Sequence, residues 1–372
     1  MPPLSLLIKP ASGSCNMRCQ YCFYCDEAKK RTLDSLGHMS PQTMHQIADK
    51  AMEYADGECT FAFQGGEPTL VGLEFFKDLS NYISGHLNPK HICVQYAVQT
   101  NGYELNEEWA QWLAAHHVLV GVSLDGPRDI HNQYRLDHQG RGTFDQVMKS
   151  IHLLKKYRVD FNILTVVSSA NARKGQQIYN FFKKQGFVFQ QYIECLDPIG
   201  ELQGGHKYSL TPQKYEVFLK NIFDCWYRDM KAGEYVYNRY FENLMMILSG
   251  QYPEGCNMRG VCSPQWVIEA DGSVYPCDFY ALDQWKLGNI LENSFEEMEK
   301  ARQNSGFVVW SQQQPEQCKT CKWLPLCRNG CRRHREPVTK NSTGINYFCT
   351  AYKNFLEYAL PRLMEICQMF AN

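Results

Sequence analysis

Through its first half the chain alternates short β-branched, apolar runs with longer stretches in which apolar residues recur every three or four positions. The short runs Leu4–Lys9, Cys59–Phe63, Ile92–Val98, Val118–Ser123, Phe161–Val167 and Phe187–Glu194 read as strands. Between them Pro41–Tyr54, Leu73–His86, Glu107–His116, Phe144–Tyr157 and Lys174–Gln185 carry the helical period. Ser40 ahead of Pro41 and Asn106 ahead of Glu107 are the polar residues that cap a helix start. Six strands alternating with helices imply parallel βαβ units with right-handed crossovers. Six units fall short of an eight-fold barrel, so an α/β fold with an open, partial (β/α)6 barrel of the TIM type is expected.

The pattern stops in a Pro/Gly-rich stretch at Asp197–Gly205, and two helical segments follow at Pro212–Lys231 and Tyr235–Ser249. From Cys256 to Cys349 the chain is dense in cysteine and poor in long apolar runs. Such a segment cannot bury enough surface alone, and bound metal then takes the place of a core. Within it Gln265–Ala270 and Ser273–Tyr275 flank Asp271-Gly272, a hairpin signal, and Tyr352–Phe370 reads as a closing helix. The expected organisation is a barrel over 1–200, helical linker over 201–255, cysteine-rich domain over 256–350 and C-terminal helix over 351–372.

Composition removes some functions. A net charge of −1 over 372 residues gives no electrostatic case for nucleic acid or an anionic membrane. The apolar runs are too short to cross a bilayer, and the first residues lack the basic start of a signal peptide, so a cytoplasmic protein is expected. Seventeen cysteines are the anomaly. An odd number in a reducing compartment points to metal ligands rather than disulfides.

Cys15, Cys19 and Cys22 follow the first strand as C-x3-C-x2-C. Three thiolates can hold three irons of a [4Fe–4S] cluster and leave the fourth without a protein donor; a zinc site completed by Cys25 is the competing reading. The run, with Tyr21 before its last cysteine, resembles the signature of the radical S-adenosylmethionine superfamily. That resemblance implies a cofactor chelated at the open iron and cleaved to a 5′-deoxyadenosyl radical. Gln64-Gly65-Gly66-Glu67 after the second strand resembles the family's second motif, which meets the cofactor's amino group. Gln99-Thr100-Asn101-Gly102 and Ser123-Leu124-Asp125-Gly126 end the third and fourth strands, and His131 and Arg135 come shortly after. The resemblance implies that Ser123 meets the ribose, Arg135 the cofactor carboxylate and Leu196 the adenine. Without it, Arg135 reads as a surface ion-pair residue and Ser123 as a strand cap.

Eight later cysteines, Cys256, Cys262, Cys277, Cys318, Cys321, Cys327, Cys331 and Cys349, suffice for two four-cysteine sites, iron–sulfur or zinc. Their arrangement resembles the SPASM extension of the same superfamily. This implies one auxiliary [4Fe–4S] cluster on Cys256, Cys262, Cys277 and Cys331, and another on Cys318, Cys321, Cys327 and Cys349. Arg328, Arg332, Arg333, His334 and Arg335 either offset cluster charge or form a solvated basic loop. Of the other cysteines, Cys59, Cys93, Cys195, Cys225 and Cys367 read as small buried apolar residues.

The stretch Tyr275-Pro276-Cys277-Asp278-Phe279-Tyr280 makes the chain as a whole resemble the anaerobic sulfatase-maturating enzymes. In that family the aspartate at the place of Asp278 is the catalytic base, although most aspartates are plain surface residues. The implied reaction converts a cysteine or serine in an unfolded sulfatase peptide to Cα-formylglycine. It would use three [4Fe–4S] clusters, S-adenosylmethionine and an electron donor such as flavodoxin or ferredoxin. The alternatives are another peptide-modifying SPASM enzyme, forming thioether or carbon–carbon crosslinks, and a non-enzymatic zinc-stabilised binding module.

Overall fold

The computed structural model describes residues 3–85 and 90–371, with the side chain of residue 371 left aside. Two compact units divide the chain. One comprises 1–123, 135–161 and 264–305; the other comprises 124–134, 162–263 and 306–372.

The first unit is built on a sheet whose strands are β1 (Leu4–Lys9), β2 (Glu58–Phe63), β3 (Cys93–Thr100) and β4 (Leu119–Ser123), each parallel to the next. Helices Pro41–Tyr54, Leu73–Gly85 and Glu107–Ala115 make the crossovers. Ser40 Oγ accepts from the Thr43 amide and the Asn106 side chain from the Trp109 amide, so both expected caps close their helices. His86, the expected last residue of the second helix, lies outside the described residues. In β2, Cys59, Phe61 and Phe63 are buried and alternate with less buried neighbours, the period of a strand with one core face.

In the second unit β5 (Phe161–Val167, from its second residue) and β6 (Phe189–Glu194) lie parallel to each other, paired from Ile163 with Gln190 onward. The helix Gly175–Gln185 joins them. The expected helix Tyr235–Ser249 starts later. Tyr237–Asn238 instead adds a short strand, β7, parallel to β6, and the helix runs Arg239–Leu248. Asn238 decides this: its side chain accepts from the Tyr240 and Phe241 amides and caps the helix there. Helices Pro212–Lys231 and Cys349–Ala371 pack together through Phe223 and Phe355, with ring centroids 5.6 Å apart.

The predicted hairpin forms as β8 (Trp266–Glu269) and β9 (Ser273–Tyr275), turning at Gly272 with φ +83°. It does not stay within the cysteine-rich segment. β8 lies parallel to β1, with Leu6 opposite Trp266 and Lys9 opposite Glu269, and β10 (Gly288–Asn289) extends the edge. Nothing local in 264–289 announces this pairing, because every residue of β8 is buried and a strand buried on both faces has no solvent side to give a period. Pairing with β1 brings Cys277 and Asp278 into the first unit.

Candidate active site and cluster-binding cysteines

All seventeen cysteines are free thiols. In the first unit Cys15, Cys19 and Cys22 lie on the loop that leaves β1, each partly buried. Cys15 Sγ accepts from the Met17 amide at 3.4 Å and from Asn101 Nδ2 at 3.6 Å. Arg135 Nη1 reaches Cys19 Sγ at 4.0 Å, and its guanidinium lies 5.5 Å from the centre of the Tyr21 ring. The neighbouring Cys25 thiol lowers the pKa of Cys22 against the effect of burial. Burial instead pushes Cys15 up to about 12, so a thiolate there requires cationic charge close by.

The Gly65-Gly66-Glu67 turn clamps this loop. The Gly66 and Glu67 amides donate to the carbonyls of Ser12 and Ser14, both at 2.8 Å. A Cβ on Gly66 would stand 2.0 Å from the Ser14 carbonyl oxygen, so only glycine allows the approach. Glu67 is 1% exposed, and its carboxylate takes four protein donors. They are the Thr69 amide (3.2 Å) and hydroxyl (2.8 Å), the Thr100 hydroxyl (2.7 Å) and the Asn101 amide (2.7 Å). Burial raises its pKa, and these bonds oppose the rise. Three of these bonds fall on Oε1 and one on Oε2, so Glu67 ties the ends of β2 and β3 together beside Cys15 while Oε2 keeps room for a further donor. Ser123 Oγ is 3.3 Å from Gln99 Nε2.

Asp278 is 8% exposed. Its Oδ2 accepts from Gln64 Nε2 at 2.7 Å, and its Oδ1 stands 2.5 Å from Lys9 Nζ. The Lys9 contact lies outside hydrogen-bond angles, so it holds by charge. Lys9 is fully buried, with its ammonium 3.7 Å above the Tyr24 ring. The Tyr24 hydroxyl and Arg31 Nη1 both donate to Glu269, the arginine at 2.7 Å. A carboxylate and an ammonium this buried persist only as partners, and the partnership fixes where the Asp278 oxygens point.

In the second unit Cys256, Cys262 and Cys331 interact with one another, and burial pushes Cys331 up to about 12. Ser263 N–H donates to Cys256 Sγ and Arg333 N–H to Cys331 Sγ. Cys318, Cys321, Cys327 and Cys349 surround a cleft of about 420 Å3, counted out to solvent, together with Trp323, Asn329 and Lys353. Among the described residues no three His, Cys, Asp or Glu side chains gather at single-ion spacing, and this set is spread around a space rather than closed on a point. A soft donor set around such a space suits an iron–sulfur cube.

Of the five basic residues here only Arg328 stays at the surface, where it donates to the Pro325 carbonyl; the other four do not form a solvated loop. Arg332, Arg333, His334 and Arg335 are all at least nine-tenths buried. Arg332 Nη1 donates to the Phe307 carbonyl and Arg335 Nη2 to that of Ser311, both at 2.8 Å, so these guanidinium groups pin loops that lack an apolar core. Burial lowers His334 to about 4, which keeps it neutral. Cys59, Cys195 and Cys225 are buried as expected, but Cys93 is exposed at the start of β3 and Cys367 is half-buried on the C-terminal helix.

Comparison with known proteins decides between the readings. Residues 10–182 match the radical SAM superfamily, and residues 256–322 match an iron-sulfur cluster-binding domain, SPASM. A cysteine-type anaerobic sulfatase-maturating enzyme from Clostridium novyi is 46% identical over 371 residues, covering 100% of this chain and 99% of the relative. The chain belongs to the anaerobic sulfatase-maturating enzymes. A serine-type member from Bacteroides thetaiotaomicron is 30% identical, covering 96% of this chain and 90% of its own. The structure described as native anSMEcpe with bound AdoMet and Cp18Cys peptide superposes with a TM-score of 0.94 at 46% identity, covering 99% of this chain and 100% of that one. SuiB from Streptococcus suis, at 16% identity and TM-score 0.59 over 89% of this chain and 73% of its own, shares the fold.

This member of the sulfatase-maturating family is therefore a radical SAM enzyme. It has a parallel α/β domain, a SPASM domain, S-adenosylmethionine and [4Fe–4S] clusters as cofactors, and no zinc-module character. Among the described residues no helix is long and apolar enough to cross a membrane. The structure brings Cys15, Cys19, Cys22, Tyr21, Gly66, Glu67 and Arg135 together in one unit with Asp278 and Gln64, while Leu196 lies in the other. Sequence reasoning missed Lys9, Asn101 as a thiol donor, and His138, whose Nε2 is 2.8 Å from the Cys15 carbonyl. Lys9 left one signal, a charge at the end of the apolar run L-S-L-L-I, which reads equally as a strand end meeting solvent.

Proposed function

We propose that this enzyme oxidises a cysteine in an unfolded sulfatase polypeptide to Cα-formylglycine, with serine the lesser target. The reading is carried by full-length 46% identity to cysteine-type relatives, against 30% to the serine-type one. Cys15, Cys19 and Cys22 would hold the radical cluster. Gly65, Gly66, Ser123, Arg135 and Leu196 would receive the cofactor, with Tyr21, Gln64 and Glu67 shaping that site. The sets Cys256, Cys262, Cys277, Cys331 and Cys318, Cys321, Cys327, Cys349 would hold two auxiliary clusters. When bound, the cofactor supplies a 5′-deoxyadenosyl radical able to take a hydrogen atom from the substrate Cβ, and the auxiliary clusters supply an electron acceptor.

The chain's own part begins with Asp278, the base that takes the thiol proton. Lys9 and Gln64 fix the direction of its two oxygens, and burial keeps water from competing for it. Loss of one hydrogen atom, one proton and one electron turns Cβ–SH into a thioaldehyde. Water then gives the aldehyde and hydrogen sulfide. A flavodoxin or ferredoxin would deliver the reducing electron.

The test is anaerobic turnover of a sulfatase-type peptide by Asp278→Asn, read by mass spectrometry beside 5′-deoxyadenosine release. Expected are continued cofactor cleavage and a loss of formylglycine of at least a hundredfold. Ordinary product yield would remove Asp278 from the base role, and no formylglycine from the unaltered enzyme would overturn the function.

A further inference from the structure

Asn101 stands one residue past the end of β3 and is 9% exposed. Its main-chain N–H donates to Glu67 Oε2 at 2.7 Å, and its Oδ1 accepts from the Tyr103 amide at 2.8 Å. A main-chain N–H can only donate, so the Tyr103 bond settles which end of the carboxamide is oxygen. Nδ2 therefore faces the cysteine loop. Its two hydrogens have two acceptors there, Asn16 Oδ1 at 2.8 Å and Cys15 Sγ at 3.6 Å.

Cys15 thus receives two N–H donors, because the Met17 amide reaches the same sulfur at 3.4 Å. The two differ in kind. Almost any residue at position 17 supplies a main-chain amide, whereas the second donor requires a short carboxamide at position 101. The turn to Tyr103 and the tie to Glu67 do not require one. Aspartate or serine has the side-chain oxygen that such a turn uses, and either keeps the main-chain N–H. What asparagine adds is a donor aimed at sulfur.

A cluster on Cys15, Cys19 and Cys22 takes one electron from the low-potential protein donor and passes from the 2+ to the 1+ state. One negative charge is then added beside three thiolates. A fixed N–H dipole at one of those sulfurs stabilises the reduced state more than the oxidised one, and so raises the potential. We infer that Asn101 is a positioning residue whose N–H···S bond to Cys15 sets the potential of the radical cluster, and with it the ease of reduction by a flavodoxin- or ferredoxin-class donor. The inference rests on the proposed placement of that cluster.

The test is an anaerobic redox titration of full-length, iron-loaded Asn101→Ser and Asn101→Asp. It follows the paramagnetic resonance signal that changes on adding S-adenosylmethionine, which separates the radical cluster from the auxiliary ones. At a fixed ambient potential Asn101→Ser should hold at least threefold less reduced cluster, a midpoint about 28 mV lower at 59 mV per tenfold for one electron. Asn101→Asp, with an acceptor where the donor stood, should fall further. Release of 5′-deoxyadenosine with a flavodoxin as reductant should drop at least threefold in both. Excess titanium(III) citrate, a stronger reductant, should bring it back to within twofold of the unaltered enzyme. Iron content and cofactor affinity should not change. Should one variant lose iron, the midpoint of the other decides. Unaltered midpoints would overturn the inference, and loss of iron from this cluster in both variants would overturn it in favour of a purely structural bond. If the unaltered enzyme gave no cofactor-sensitive signal, the cluster placement would fall and the inference with it. Formylglycine made by the unaltered enzyme reports on the function independently of these potentials.

Discussion

Replacing Lys9 by methionine probes the buried pair at the proposed base. The substitution keeps an unbranched side chain over Tyr24 but removes the ammonium 2.5 Å from Asp278 Oδ1. At an effective dielectric constant of about 20, unit charges at that distance attract by roughly 7 kcal/mol before desolvation is subtracted. Breaking a buried pair by deleting one member costs about 3–5 kcal/mol, because the remaining charge stays buried. Gln64 still donates to Oδ2, and the Asp278 side chain keeps 12% exposure, so about 3 kcal/mol is expected. With roughly 2 cal/mol/K of unfolding entropy per residue, that lowers the melting temperature by about 4 °C. Asp278→Asn in the same background removes the stranded charge and should restore at least half of the loss, a coupling of about 1.5 kcal/mol or more. Scanning calorimetry of the four proteins, equally loaded with iron, measures this cycle. Lys9→Met alone should also lower formylglycine made per 5′-deoxyadenosine released, and the double variant should not recover that ratio. Additivity of the two substitutions within about 0.5 kcal/mol would refute the claim that Lys9 and Asp278 hold each other in place.

Replacing Cys15, Cys19 and Cys22 together by alanine should abolish cofactor cleavage and drop iron from about twelve to about eight per chain, leaving the auxiliary clusters loaded. Continued cleavage would show that the radical site lies elsewhere. Gly66→Ala, whose Cβ would collide with the Ser14 carbonyl at 2.0 Å, should distort the same loop. Cofactor affinity should fall at least tenfold, and wild-type affinity by equilibrium dialysis would contradict that geometry. Burial raises the Glu242 carboxyl to about 7, so the fold binds its proton more tightly than the unfolded chain does. Its contribution is favourable below pH 4.5 and is lost as pH climbs through 7. Glu242→Gln should therefore stabilise by about 1 kcal/mol at pH 8, allowing for partial exposure, and by nothing measurable at pH 4.5; equal melting temperatures at pH 8 would refute this.

Much of this molecule is written in local pattern. Strands β1 to β6 each begin within two residues of where apolar alternation places them, and Ser40 and Asn106 cap the helices they precede. These features depend on side-chain period and on hydrogen bonds spanning three or four residues, so neighbours in sequence suffice to specify them. The cysteine groups are equally legible, since a ligand must be a particular residue type whatever the fold.

Other features were decided by contacts between residues far apart. Lys9 is a buried ion-pair partner because β8, over 250 residues later, pairs with β1 and carries Asp278 to it. Glu67 is a brace because Thr100 and Asn101 on another strand end supply its donors. Arg332 and Arg335 are buried because carbonyls of the 307–311 segment meet them. The physical reason is the same in each case. A charge reads as solvent-exposed until something buries it, and burial of a charge is tolerated only when distant segments deliver its partner, which no local window contains.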